Sequence, residues 1–222
     1  MLLALGTFIM KIAIINETSA ADKNKDILAA LRGRGHTIIN AGMIESGAQP
    51  ELTYIHTGFI SALLLNAKRA DFVVGGCGTG QGYLNSVMQY PNVFCGLIAN
   101  PLDAWLFTQI NGGNCISLPL NFGYGWAGDV NLQFVFDKIF SVEPGCGYPA
   151  HRKESQKNSR LALKNISAKT HFSFARIIET LGEEMVRQAL FYPGIKELLD
   201  VDSVEDVELK KALKKFINKE KR

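Results

Sequence analysis

Net charge is scarce in this chain. Lys and Arg together number 24 against 21 Asp and Glu, which leaves +3 over 222 residues. Much of the positive excess gathers near the C-terminus, at Lys210, Lys211, Lys214, Lys215, Lys219, Lys221 and Arg222. A protein that grips nucleic acid by neutralising phosphates needs a basic face, so nucleic acid is not an expected partner. Cysteine is equally sparse: Cys77, Cys95, Cys115 and Cys146 show no CxxC spacing. That excludes a zinc site or a disulfide framework and fits a reducing cytoplasm. No apolar run is long enough for a bilayer. The stretch 1–10 is apolar but short, lacks a basic leading region and gives way at Lys11. It is expected to be an extension running into the first strand, with Met10 an alternative start, and neither a membrane anchor nor a secretory leader. Internal repeats and low-complexity tracts are missing too, and collagen-like and coiled-coil readings drop out.

What is present is apolar material, 47% hydrophobic residues with 20% charged, enough to bury a sizeable core. Short runs rich in Val and Ile, at 11–15, 36–40, 72–75, 93–98 and 115–118, alternate with segments of helical period at 20–34, 53–69, 81–89, 101–110 and 127–140. Gly33 and Gly35 stop the first helix, Pro91 follows the third and Pro101 opens the fourth, each where helix ends favour it. This alternation predicts βαβ units and hence an α/β fold: a three-layer α/β/α sandwich around a five-stranded parallel, Rossmann-like sheet. Ligands in such folds bind outside the carboxyl ends of the strands. Beyond the irregular segment EPGCGYPAH (143–151) and a basic stretch at 152–164, apolar residues recur at helical spacing at Phe174, Ile177, Ile178 and Leu181, then at Leu209, Leu213, Phe216 and Ile217. The expected division is an α/β domain over 1–165 and a helical C-terminal extension over 166–222.

The most informative stretch is DFVVGGCGTGQGYLNS, residues 71–86, where a buried-looking strand runs into five glycines before a helix. Stripping side chains from such a turn lets backbone N–H groups converge on an anion at the helix N-terminus. The turn lacks the Gly-Lys-Ser/Thr of a P-loop, and it follows the third strand without the acidic partner of a dinucleotide fingerprint. Neither NAD nor ATP is expected there. Cys77 lies inside the turn, where nearby donors stabilise a thiolate able to act as base or nucleophile; the alternative is a small residue filling a tight bend. Thr79 has the same double meaning, because a threonine there also caps a helix.

KIAIINET near the start, Tyr54-Ile55-His56, GGCGTGQG and NPLDAWLFTQINGGNCISL together resemble the ribose-5-phosphate isomerase B and galactose-6-phosphate isomerase family over about residues 11–165. The resemblance implies an aldose–ketose isomerase that acts on a sugar phosphate through a cis-enediolate without metal or organic cofactor. The residue matching the family's base is Cys77, with Thr79 and the turn amides around Gly78, Gly80 and Gly82 supplying donors to the enediolate oxygen. Glu17 and Thr18 match the family's Asp-His pair as substrate-binding positions. His56 matches a histidine in contact with substrate or phosphate, and Asn111 a sugar-contacting asparagine. Ile110 stands where relatives carry the ring-opening histidine. Arg152 and Arg160 are the nearest candidates for phosphate-holding arginines, which in the family act across a dimer interface, so a homodimer or higher homo-oligomer is implied. Asn100 and Asn114 are expected near the rim or as turn residues. The last 55 or so residues have no counterpart in this resemblance.

Thr18 and Ile110 point away from ribose 5-phosphate and toward a galactose-phosphate-like or otherwise modified sugar. A competing reading is a silent sugar-phosphate binding protein that kept the cradle and lost the chemistry. Retention of the thiol favours the enzyme, because anion binding alone does not need one.

Overall fold

The computed structural model describes residues 9–219; the apolar start at 1–8 and the last three residues lie outside them. Five strands form one all-parallel sheet in the order β2-β1-β3-β5-β4: β1 Lys11–Asn16, β2 Thr37–Asn40, β3 Phe72–Cys77, β4 Cys95–Leu97 and β5 Cys115–Pro119. Between and after them run α1 Asn24–Leu31, α2 Tyr54–Asn66, α3 Gln81–Val87, α4 Pro101–Leu106 and α5 Gly128–Ile139. The sandwich and its five parallel strands agree with the sequence reading.

Strand alternation sorts the core into two layers. Ile12, Ile14, Val74, Ile116 and Leu118 face α1 and α5, whereas Ala13, Ile15, Val73 and Cys115 face α2 and α3. Both faces are buried, which is why the strands read as continuous apolar runs. The helices after β1 and β3 therefore lie on opposite faces and diverge from the loops of these two adjacent strands. This is the switch point at which open α/β sheets bind ligands.

The first predicted helix is split: residues Thr18–Lys23 form a 3-10 turn before α1. The fourth ends in a π-helical turn, Phe107–Asn111, closed by Gly112 in the left-handed region at φ 52°. One wide turn inserts a residue into the helix, and nothing in the sequence marks it. Because α4 runs back against the strands, Asn111 arrives at the amino edge of the sheet, four residues before β5 begins.

Residues 153–219 contribute α6 Lys153–Thr170, α7 Phe174–Thr180, α8 Glu183–Leu190, α9 Ile195–Leu199 and α10 Val207–Lys219. The last four do not form a core of their own. Phe174, Ile177, Val186, Leu190 and Leu213 join the same apolar cluster as Phe59, Leu63 and Tyr90, and the Phe174 ring lies 5.4 Å from that of Phe59, tilted by 45°. Arg69 ties them down by donating to the carbonyls of Leu199 at 2.7 Å and Asp200 at 3.0 Å. Helix α6 is different: of its 18 residues only Ser167 is buried. Among the described residues no helix is long and apolar enough to cross a membrane.

Candidate active site

Parallel register sets the level at which the loops meet. Asn16 pairs with Gly76 and Cys77 with Pro119, so β1, β3 and β5 end together, and the segments 17–19, 77–82 and 120–122 share one rim. Gly76 and Gly80 are required there by close packing. A Cβ on Gly76 would stand 2.4 Å from the carbonyl oxygen of Leu118, and one on Gly80, whose φ is +75°, would meet Leu97 at 2.6 Å.

Cys77 ends β3 on the α2/α3 face, packed within the main apolar cluster and 6% exposed. The thiol is thus nearly covered and does not face open solvent. Its carbonyl accepts the N–H groups of Gly80 at 3.2 Å and Leu120 at 3.0 Å, and the Gly78 carbonyl accepts those of Asn121 at 3.0 Å and Phe122 at 2.9 Å. The Gly78 N–H, expected to be a donor to substrate, is instead taken by Ser19 Oγ at 3.0 Å. That hydroxyl donates to the carboxylate of Glu17, which is 3% exposed. Asn121 Nδ2 donates to the Ser19 carbonyl at 2.7 Å. Sequence reasoning misses Ser19 and Asn121, because only the order of strands in space brings them to the turn.

Thr79 is exposed, and its hydroxyl accepts the N–H of Gln81 at 3.4 Å, while the N-cap of α3 is Gly80. Thr18 donates its N–H to the Leu52 carbonyl at 2.9 Å. Helix α2 also starts at this rim. Tyr54 lies against Gly82, where a Cβ would come within 3.1 Å of the ring. His56 Nδ1 accepts the N–H of Thr53 at 3.1 Å as half of a capping box. That contact places the neutral ring's proton on Nε2, and burial pushes the pKa below the ordinary histidine value. Asn16, fully buried beside Gly76, has no hydrogen-bond partner for either amide atom among the described residues. Each such atom costs about 1–3 kcal/mol.

Three candidates sit elsewhere. Asn111 is at the amino edge, separated from Cys77 by the length of β5, roughly 13 Å at about 3.3 Å per residue. The expectation of a pocket-rim position fails within one chain because α4 runs antiparallel to the strands. Arg160 reaches the same edge and donates to the carbonyls of Ile110 and Gly145, each at 2.9 Å. Arg152 is exposed just before α6. Asn100 caps α4 by accepting from Leu102 and Asp103, and Asn114 bridges Phe94 and Asn92 as a turn residue. A cavity of about 130 Å³ opens on the α5 face of β5, walled by Ile98, Leu118, Leu120, Tyr124 and Leu132. Cys77 faces the other way. Among the described residues no group of His, Cys, Asp and Glu is arranged to hold a metal ion.

A model of the Ribose/Galactose Isomerase family matches residues 12–138. Among solved structures, a ribose-5-phosphate isomerase from Vibrio parahaemolyticus is 38% identical, with a TM-score of 0.88, covering 94% of this chain and 100% of its own. A 4-deoxy-L-threo-5-hexosulose-uronate ketol-isomerase, solved with a tartrate, is 33% identical at the same TM-score and the same coverage. Coverage of this extent takes in most of the C-terminal helices, so the extension does have counterparts, contrary to the sequence reading. A type B ribose 5-phosphate isomerase from Leishmania infantum, 14% identical with a TM-score of 0.62 over 74% of this chain and 100% of its own, shares the fold alone. No curated protein matches the chain.

Proposed function

Because the chain belongs to the ribose/galactose isomerase family and is thereby a sugar isomerase, we propose that it interconverts an aldose and a ketose through a cis-enediolate, with Cys77 moving the proton. One observation carries this reading: the thiol ends β3 inside the glycine turn, at the switch point where the β1 loop brings Glu17 to the same rim. In the forward direction the Cys77 thiolate takes the proton from C2 of the open-chain aldose. The electron pair forms the C1–C2 double bond and the charge passes to O1. The hydroxyl proton then moves from O2 to O1, and Cys77 returns its proton to C1, leaving a carbonyl at C2. General-base help of this kind is worth about 10²–10⁴ in rate. Glu17 binds sugar hydroxyls as a carboxylate, and Thr79 offers its hydroxyl to the developing oxyanion. Thr18, His56 and the glycines 78, 80 and 82 shape the same rim. The step needs neither metal nor organic cofactor.

The substrate we propose is a phosphorylated pentose or hexose. A second reading, a ketose uronate, is favoured by the full-length likeness to a hexosulose-uronate ketol-isomerase. Both substrates are anionic sugars. In either case the cations come from a second copy of the chain, because Arg160, which holds the Ile110 carbonyl beside Asn111, lies at the edge opposite Cys77, and α6, which bears it, is left almost wholly exposed. We therefore propose a homodimer whose α6 segment reaches the partner's thiol. Four free thiols suit a reducing cytoplasm.

The test is a screen of pentose phosphates, hexose phosphates and ketose uronates for exchange of the C2 proton with deuterated water. Exchange with one class names the substrate. Binding of a sugar phosphate with no exchange in any class would instead identify the silent binding protein.

A further inference from the structure

The rim at the switch point holds a contact that the proposed chemistry does not use. Ser19 Oγ has one proton and two lone pairs, and the proton is committed to the Glu17 carboxylate, leaving the oxygen to accept the Gly78 N–H at 3.0 Å. Glu17 and Gly78 belong to loops on adjacent strands, and Gly78 shares its peptide plane with Cys77. The other side of that plane is fixed as well, since the Cys77 carbonyl accepts from Gly80 and Leu120. Ser19 itself is held from the loop after β5, where Asn121 Nδ2 donates to its carbonyl at 2.7 Å. The fit is close: a Cβ at position 78 would stand 3.4 Å from both Ser19 Oγ and Asn121 Nδ2. Three loops thus converge on one hydroxyl.

We infer that Ser19 is a positioning residue that holds the Glu17 carboxylate and the Cys77–Gly78 peptide in fixed relation between the β1 and β3 loops. The inference rests on the assignment of Cys77 as base. Ser19 takes no part in proton transfer. It sets where the sugar hydroxyls bound by Glu17 lie relative to the sulfur, and a misplacement of about 1 Å at such a site costs on the order of 10² in rate. Its hydroxyl also keeps the Gly78 N–H out of the set of enediolate donors, so that set is narrower than the glycine turn suggests.

Ser19→Ala is expected to lower kcat about 10–100-fold, with KM changed less than about threefold, and Ser19→Thr to recover most of the loss. In a Glu17→Ala background the same Ser19→Ala change is expected to add little, because the group it holds is gone. Amide hydrogen exchange at Gly78, read by NMR without substrate, should quicken at least about tenfold in Ser19→Ala. Wild-type kcat in Ser19→Ala, full additivity with Glu17→Ala, or unchanged Gly78 exchange each overturns the inference. Cys77→Ala run alongside separates the two assignments. If Cys77→Ala keeps turnover, the base assignment falls; if it loses turnover while Ser19→Ala does not, only the role of Ser19 falls.

Discussion

The phenol of Tyr83 occupies the space that a side chain at position 75 would fill. A Cβ on Gly75 would lie 2.1 Å from Tyr83 Cζ and 2.3 Å from its oxygen. The ring is fully buried and its hydroxyl bonds Ser61 at 2.7 Å. Burial, then the neighbouring thiols, hold its pKa well above the ordinary phenol value. Glycine at the middle of β3 is thus what lets α3 lie down on the sheet with Cys77 at the turn between them.

Gly75→Ala should therefore displace Tyr83 and cost about 1–3 kcal/mol. For a chain of this size that is a fall in melting temperature of about 2–12 °C. Thermal melts followed by circular dichroism check this. An unchanged melting temperature would mean that the ring does not depend on the missing Cβ.

The capping box at α2 makes a pH prediction. Burial lowers the pKa of His56, so the folded state favours the neutral ring. The contribution is fully present above the unfolded value of about 6.5 and is lost as pH falls through the folded pKa. Gln at this third helical position keeps an acceptor for the Thr53 N–H. His56→Gln should hold its stability at pH 7 and flatten the decline in melting temperature toward pH 5. A residual slope belongs to His36, also lowered by burial and, secondarily, by Arg34. An identical slope in the variant would remove His56 from the account.

Much of this molecule is legible in its residues. The Val- and Ile-rich runs locate all five strands, and the glycine turn locates the thiol, because parallel strands buried on both faces leave a continuous apolar signature. The π-turn at Phe107–Asn111 leaves none. The Ser19–Gly78 contact spans 59 residues of sequence and depends on β1 and β3 being neighbours, which no local pattern encodes. Asn111 shows what local pattern leaves out. Its residue type suits a sugar, but a helix that returns between parallel strands must end at the amino edge. The tail shows a further limit. Its periodicity at Phe174, Ile177 and Ile178 announces helices, yet not that their apolar faces close the same core as Phe59 and Tyr90.

The distance between Cys77 and the arginines makes a prediction about assembly. Cys77→Ala and Arg152→Ala should each be inactive as pure homodimers. Co-expressed, the two variants should regain about a quarter of wild-type turnover, because half of randomly paired dimers carry one intact site. No recovery in a mixture shown to contain heterodimers would place every working group within one chain.

One paired measurement addresses the Cys77 sulfur directly. Wild type and Cys77→Ala are given the sugar that exchanges, in deuterated water, with C2 exchange followed by NMR and binding of the same sugar by calorimetry. The expected result is a loss of exchange of about 10²–10⁴-fold or more with affinity retained. Exchange by Cys77→Ala at the wild-type rate would contradict the claim that this thiol moves the proton.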